Sequence, residues 1–176
     1  MSKNILITGV PGCGKTTLFK RLAKELEHLQ PVGFYTQEIR EQGVRKGFGL
    51  TSLGGQKGLL AHVDLSSDFR VGRYGVDVAG FEAFVSRIAF FDKASKLVMI
   101  DEIGKMECFS EVFQRLILDA LDSEKTFIAT IALRGTGPIA KIKKRSDIRL
   151  LEISRQNQDT IFSQILRLVN SSLIKG

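Results

Sequence analysis

Two rhythms of apolar and polar positions alternate along the chain. Asn4 to Thr8 is a short, β-favouring apolar run. From Lys15 to Leu29, Leu18, Leu22 and Leu26 recur at four-residue spacing with Phe19 and Ala23 beside them, the period of an amphipathic helix. Leu97 to Ile100 reads as a buried strand, followed by a helical pattern through Val112, Phe113, Leu116, Ile117 and Ala120. Phe127 to Leu133 and Arg149 to Ile153 read as further strands, and Asp159 to Leu173 closes with Ile161, Ile165 and Leu168 on one helical face. Strands alternating with helices imply parallel pairing, because parallel neighbours need a crossover, and right-handed crossovers place helices on both sheet faces. The expected fold class is α/β, a three-layer sandwich with a mainly parallel sheet.

Residues 33–80 break the rhythm. They hold ten of the 17 glycines and the short β-rich pieces Phe34 to Ile39 and Lys46 to Ser52, so antiparallel hairpins inserted in the α/β core are expected there. Val78 to Lys93 resumes helical spacing through Phe81, Phe84, Val85 and Ile88. A length of 176 residues suits one domain, 1–176, containing that insertion.

Composition narrows the class. With 43% hydrophobic residues, 26% charged residues and three prolines, disordered and low-complexity classes are excluded. Apolar runs fall far short of the ~18 residues that span a bilayer, so no membrane partner is expected. Two cysteines 95 positions apart, with no charged and apolar leader before them, point to the reducing cytoplasm rather than a disulfide scaffold. Lys and Arg total 26 against 19 Asp and Glu; the balance of +7 favours an anionic partner without choosing between nucleotide, nucleic acid and lipid surface.

Local motifs are more specific. Gly9-Val10-Pro11-Gly12-Cys13-Gly14-Lys15-Thr16 follows a predicted strand and opens a predicted helix, the context a phosphate-binding loop requires. Gly9, Gly12 and Gly14 let successive backbone N–H groups approach phosphate oxygens, and the helix N-terminus aims its dipole at the same anion. Lys15 reaches the β- and γ-phosphates, the Thr16 hydroxyl ligates Mg²⁺, and Thr17 closes the nucleotide-binding stretch. Cys13 has no second ligand nearby and carries no metal or redox reading.

The apolar run Leu97 to Ile100 ends in Asp101-Glu102, 86 positions after Lys15. Carboxyl ends of parallel strands share one edge, so Asp101 is expected beside the loop as a Mg²⁺ ligand. Glu102 is then the base that directs and deprotonates water. Asp101 and Gly104 also fit an Asp-x-x-Gly switch, yet the chain has no Asn-Lys-x-Asp motif to read guanine.

Lys105 and Glu107 are candidates either for nucleotide contact or for a mutual ion pair. Arg40, Arg45, Arg73, Arg134 and Arg145 are candidates for stabilising charge on the transferring phosphoryl group, since a planar fork of donors suits it, and of these Arg40 and Arg145 are singled out as phosphate contacts. The basic run Lys141 to Arg145 lacks the aromatic residues that single-stranded nucleic acid binding uses. No metal-ligand cluster surrounds His28 or His62.

These residues resemble a family: the broad-specificity nucleoside-triphosphatases of thermophiles, known in animals as cancer-related nucleoside-triphosphatase. The resemblance rests on the phosphate loop, Asp101-Glu102-Ile103-Gly104-Lys105-Met106-Glu107, Gly33-Phe34-Tyr35-Thr36 with Glu38 and Arg40, Arg45 with Gly47-Phe48, and Val71-Gly72 with Tyr74 and Val76. Cys108 departs from the family's frequent Leu, and Arg134 to Gly137 replace a variable loop. The resemblance implies a single P-loop domain of the RecA or AAA type and slow, Mg²⁺-dependent hydrolysis of ATP, GTP and other nucleoside triphosphates to diphosphate and phosphate. A small kinase with the hairpins holding its acceptor, and a nucleotide-dependent nucleic-acid-binding module, are the competing expectations. A monomer or weak oligomer is expected.

Overall fold

A computed structural model describes residues 3–173. β1 (Asn4–Thr8) is buried at every position because it is covered on both faces: Leu6 joins one apolar cluster, Ile5 and Ile7 the other. β7 (Leu97–Ile103) and β8 (Thr126–Ile131) divide in the same way, with Val98, Ile100, Phe127 and Ala129 on one side and Leu97, Met99 and Ile128 on the other. Two-sided burial is why these strands read as unbroken apolar runs. α1 (Lys15–Glu25) and α5 (Gln158–Leu173) cover one face through Leu18, Phe19, Leu22, Ile161 and Ile165. α2 (Val78–Ser86), α3 (Glu111–Asp122) and α4 (Pro138–Lys143) cover the other through Phe81, Phe84, Phe113, Ile117, Ile139 and Ile142.

The remaining strands are β2 (Val32–Glu41), β3 (Val44–Ser52), β4 (Lys57–His62), β5 (Arg70–Val71), β6 (Tyr74–Val76) and β9 (Ile148–Glu152). Among the described residues one sheet of nine strands forms, in the order β5-β6-β4-β3-β2-β7-β8-β1-β9. The stretch β2-β7-β8-β1-β9 is parallel, so the carboxyl ends of five strands meet along one edge. The rest is antiparallel.

The Gly-rich region is therefore not set apart from the core. β2 begins as a core strand, with Val32 to Tyr35 in parallel register with Val98 to Asp101, and only then runs on as an arm paired with β3. Its anchor is Phe34, fully buried with ring centroids 5.8, 5.7 and 6.1 Å from those of Phe81, Phe84 and Phe113. Burying one such ring contributes about 2–3 kcal/mol.

Two helices stop short of their periodicity, for one reason. α1 ends at Glu25 and a 3₁₀ turn carries Leu29 back to the core; α2 ends at Ser86, where Arg87 and Ile88 bond to the carbonyls three residues earlier. That tighter winding keeps Leu26, Leu29 and Phe90 buried without a continuous α-helix. β7 instead runs further than its apolar stretch. After an irregularity its Ile103 rejoins β8 opposite Ile131, so Asp101 and Glu102 lie within the strand.

Candidate active site

Thr8 ends β1 at the common edge, and its hydroxyl donates to the Ile131 carbonyl at 3.0 Å. The chain then turns through Gly9 to Gly14 and enters α1 at Lys15. Gly14 is the N-cap residue at φ 101°, a left-handed conformation that a side chain would strain. The Gln158 amide donates to the Cys13 carbonyl at 2.9 Å, tying the start of α5 to the loop from outside. Cys13 packs into the core while Val10, Pro11 and Gly12 face outward. An exposed loop opening onto the unpaired N–H groups of a helix start is a cradle for a polyanion.

The acidic residues meet this loop. Thr16 donates its hydroxyl to Asp101 Oδ2 at 2.7 Å, and Thr130 on β8 donates to Asp101 Oδ1 at 2.5 Å. Asp101 is 1% exposed. Burial pushes its pKa up, opposed by the hydroxyls of Thr130 and Thr16 and by the positive charge of Lys15 and Lys20. Lys15 Nζ donates to the Gly9 carbonyl at 3.1 Å and stands 4.0 Å from Glu102 Oε2. Burial also pushes Glu102 up, with Lys15 and Lys143 pulling it down and Asp101 adding to the rise.

A third acid stands behind the pair. Glu107, on the turn after β7, is 5% exposed, and a Cβ at Gly104 would meet Glu107 Oε2 at 2.8 Å and Glu102 Oε1 at 2.9 Å. The two carboxyls thus crowd one point, and a side chain at Gly104 would have to push both aside. Burial, then the charge of Glu102, lifts Glu107 to about 8. No ion pair joins it to Lys105 among the described residues, and Lys105 is exposed.

Asp101 and Thr16 together could hold a hard divalent cation through oxygen atoms, as Mg²⁺ prefers. Among the described residues no group of three or more His, Cys, Asp or Glu could hold a metal, so such an ion needs phosphate or water oxygens to complete its shell.

Arg40 and Arg145 lie elsewhere. Arg40, on the arm, donates to Glu38 Oε2 at 2.8 Å and to the Gly43 carbonyl at 2.8 Å. Arg145 pairs with Asp122 at 2.6 Å and Asp147 at 2.7 Å; Asp147 in turn accepts from Asn4, at the start of β1 and so at the opposite edge from the loop. Neither is brought to the loop. Thr17 is exposed on the first turn of α1. Thr130 was not singled out from the sequence, although one polar residue deep within the apolar run of β8 was a usable signal. Lys143 was hidden among the other cations of its basic run.

Against known proteins, a family model described as NTPase matches residues 4–166. The chain belongs to this NTPase family. Nucleoside-triphosphatase THEP1 of Thermotoga maritima is 42% identical over 168 residues, 94% of each chain, and the cancer-related nucleoside-triphosphatase of Homo sapiens is 34% identical, covering 98% of this chain and 99% of the human one. The crystal structure of THEP1 from Aquifex aeolicus superposes with a TM-score of 0.79 at 36% identity, over 94% of this chain and 98% of that one.

Proposed function

We propose that this chain hydrolyses nucleoside 5′-triphosphates, ATP and GTP among them, to nucleoside diphosphate and phosphate in a Mg²⁺-dependent reaction. One observation carries the reading: the 2.7 Å hydrogen bond from Thr16 to Asp101 joins the glycine-rich loop to the acidic strand across 85 residues of sequence. Helices on both faces of the sheet and the loop at its carboxyl edge support reading residues 1–176 as a single three-layer P-loop domain of the RecA or AAA kind.

Bound Mg²⁺ would neutralise charge on the β- and γ-phosphates, held by Thr16 and Asp101. Loop amides from Gly9 to Thr16 and the N-terminus of α1, with Thr17 in its first turn, fix the phosphates. Lys15, now resting on its own loop's carbonyl, swings its ammonium to the β–γ bridge. Glu102 orients a water and takes its proton as the water oxygen bonds to the terminal phosphorus and the diphosphate leaves with the bonding electrons. A carboxyl raised by burial holds that proton better than an exposed one, which suits a general base. Catalysis is mainly positioning and electrostatics.

Two free cysteines, one buried, fit a reducing compartment such as the cytoplasm. No helix among the described residues is long and apolar enough to cross a membrane.

Phosphate release from ATP, GTP, CTP, UTP and TTP, with and without Mg²⁺ and with no added acceptor, tests the reading. Release that needs Mg²⁺ supports it. Turnover only when an acceptor becomes phosphorylated refutes hydrolysis in favour of transfer.

A further inference from the structure

Hydrolysis of a triphosphate builds negative charge around the terminal phosphoryl group, and enzymes of this chemistry meet it with a fixed cation beyond the loop lysine. The arginines singled out for that task are engaged elsewhere, Arg40 on the hairpin arm and Arg145 at the opposite sheet edge.

A lysine stands at the right edge instead. Lys143 ends α4 and folds back so that its ammonium donates to the Ala132 carbonyl at 2.5 Å and the Leu133 carbonyl at 2.8 Å. Those carbonyls are the first two beyond β8, the strand between the loop strand β1 and the acidic strand β7. An ammonium has three donors, and two are spent on these carbonyls. The charged groups that face it are Glu102, at the end of β7, and Glu152, at the end of β9. Among the described residues it forms no ion pair with either, whereas Arg145, two positions on, is held by two carboxylates. Burial lowers the pKa of Lys143, so the ammonium is partly stripped of water. Pinning by two carbonyls fixes its place before any ligand arrives, the condition under which a charge stabilises a transition state at little reorganisation cost.

We propose that Lys143 is a catalytic residue whose ammonium contacts the terminal phosphoryl group from the side opposite Lys15 and neutralises the charge that develops there. The inference rests on the hydrolytic reading of the site. In the step it assists, the water oxygen bonds to phosphorus, the bond to the bridging oxygen breaks, and the water proton passes to Glu102. Lys143 gives up no proton.

A purely structural role, latching α4 to β8, is the alternative to be separated. Lys143→Met keeps the apolar stem and removes the charge; Lys143→Arg keeps a cation and its donors. For Lys143→Met the expected result is a fall in kcat of about 10²-fold, the size seen when one donor to a developing charge is removed, with ADP affinity and melting temperature held. Lys143→Arg should recover much of the loss. Unchanged kcat in Lys143→Met, or a loss shared by kcat, ADP affinity and melting temperature, overturns the proposal. A test on the unaltered protein stands apart from folding: acylation of Lys143, followed by mass spectrometry, should be blocked by a nonhydrolysable triphosphate analogue and not by ADP. Equal blocking by both, or by neither, overturns contact with the terminal phosphoryl group. Wild-type protein that releases no phosphate from any nucleotide would sink the hydrolytic reading instead, and the protection experiment still reports on Lys143.

Discussion

Thr130 donates its hydroxyl to Asp101 Oδ1 from the strand that separates the loop strand from the acidic strand. Together with Thr16 it occupies both oxygens of a carboxylate that is 1% exposed. Unshared, that charge would be costly at such depth; with two hydroxyls it is held ready for a cation.

Thr130→Val preserves shape and removes one of these bonds. A buried charged acceptor left short of a partner costs about 1–3 kcal/mol, so the melting temperature should fall. Asp101 should also ionise at higher pH, because the first of the effects holding its pKa down is gone. The acid limb of kcat/KM against pH should move upward, and an unmoved limb would remove Thr130 from the site.

Glu102→Gln tests the base directly. Gln occupies the same space but accepts no proton, so turnover should drop by about 10² to 10⁴ while nucleotide binding persists. Calorimetry with a nonhydrolysable analogue reads the second half of that statement. Near-normal turnover would assign proton removal to another group.

Glu107 makes a prediction about stability. Its carboxyl titrates at about 8 when folded, against an ordinary value of 4.5. Between those two pH values the unfolded chain has lost the proton and the folded chain retains it, so stability falls as pH rises across this window. One such group contributes a slope of up to ~1.4 kcal/mol per pH unit. Glu107→Gln, neutral throughout, should flatten the decline measured by urea unfolding at pH 5, 6.5 and 8. An undiminished slope would mean that Glu107 is ionised in the folded protein at neutral pH.

Features carried by neighbouring residues were the legible ones. The glycine-rich loop and the pair Asp101-Glu102 are each written in a few consecutive positions, and strand polarity then implies that they share an edge. Features that depend on distant partners were not. Arg145 looks like any other cation in its run until Asp122, from the end of α3, joins its near neighbour Asp147 in closing on it. Lys143, two positions earlier, differs only in where α4 turns its last residue. β2 carries a hairpin signature along most of its length, so its parallel start beside β7 emerges only from the packing of Phe34 among three other rings. Helix length was overstated because periodicity persists through a 3₁₀ turn, which keeps the same residues inward.

The interposed strand β8 sets a gauge. Two interstrand spacings, roughly 10 Å, separate the backbones of β1 and β7, yet Thr16 and Asp101 meet at 2.7 Å. The lateral offset between the two strands is thus a property of the sheet's hydrogen-bond lattice, while the approach of the two motifs across it is left to the turn from Gly9 to Gly14 and to side-chain length.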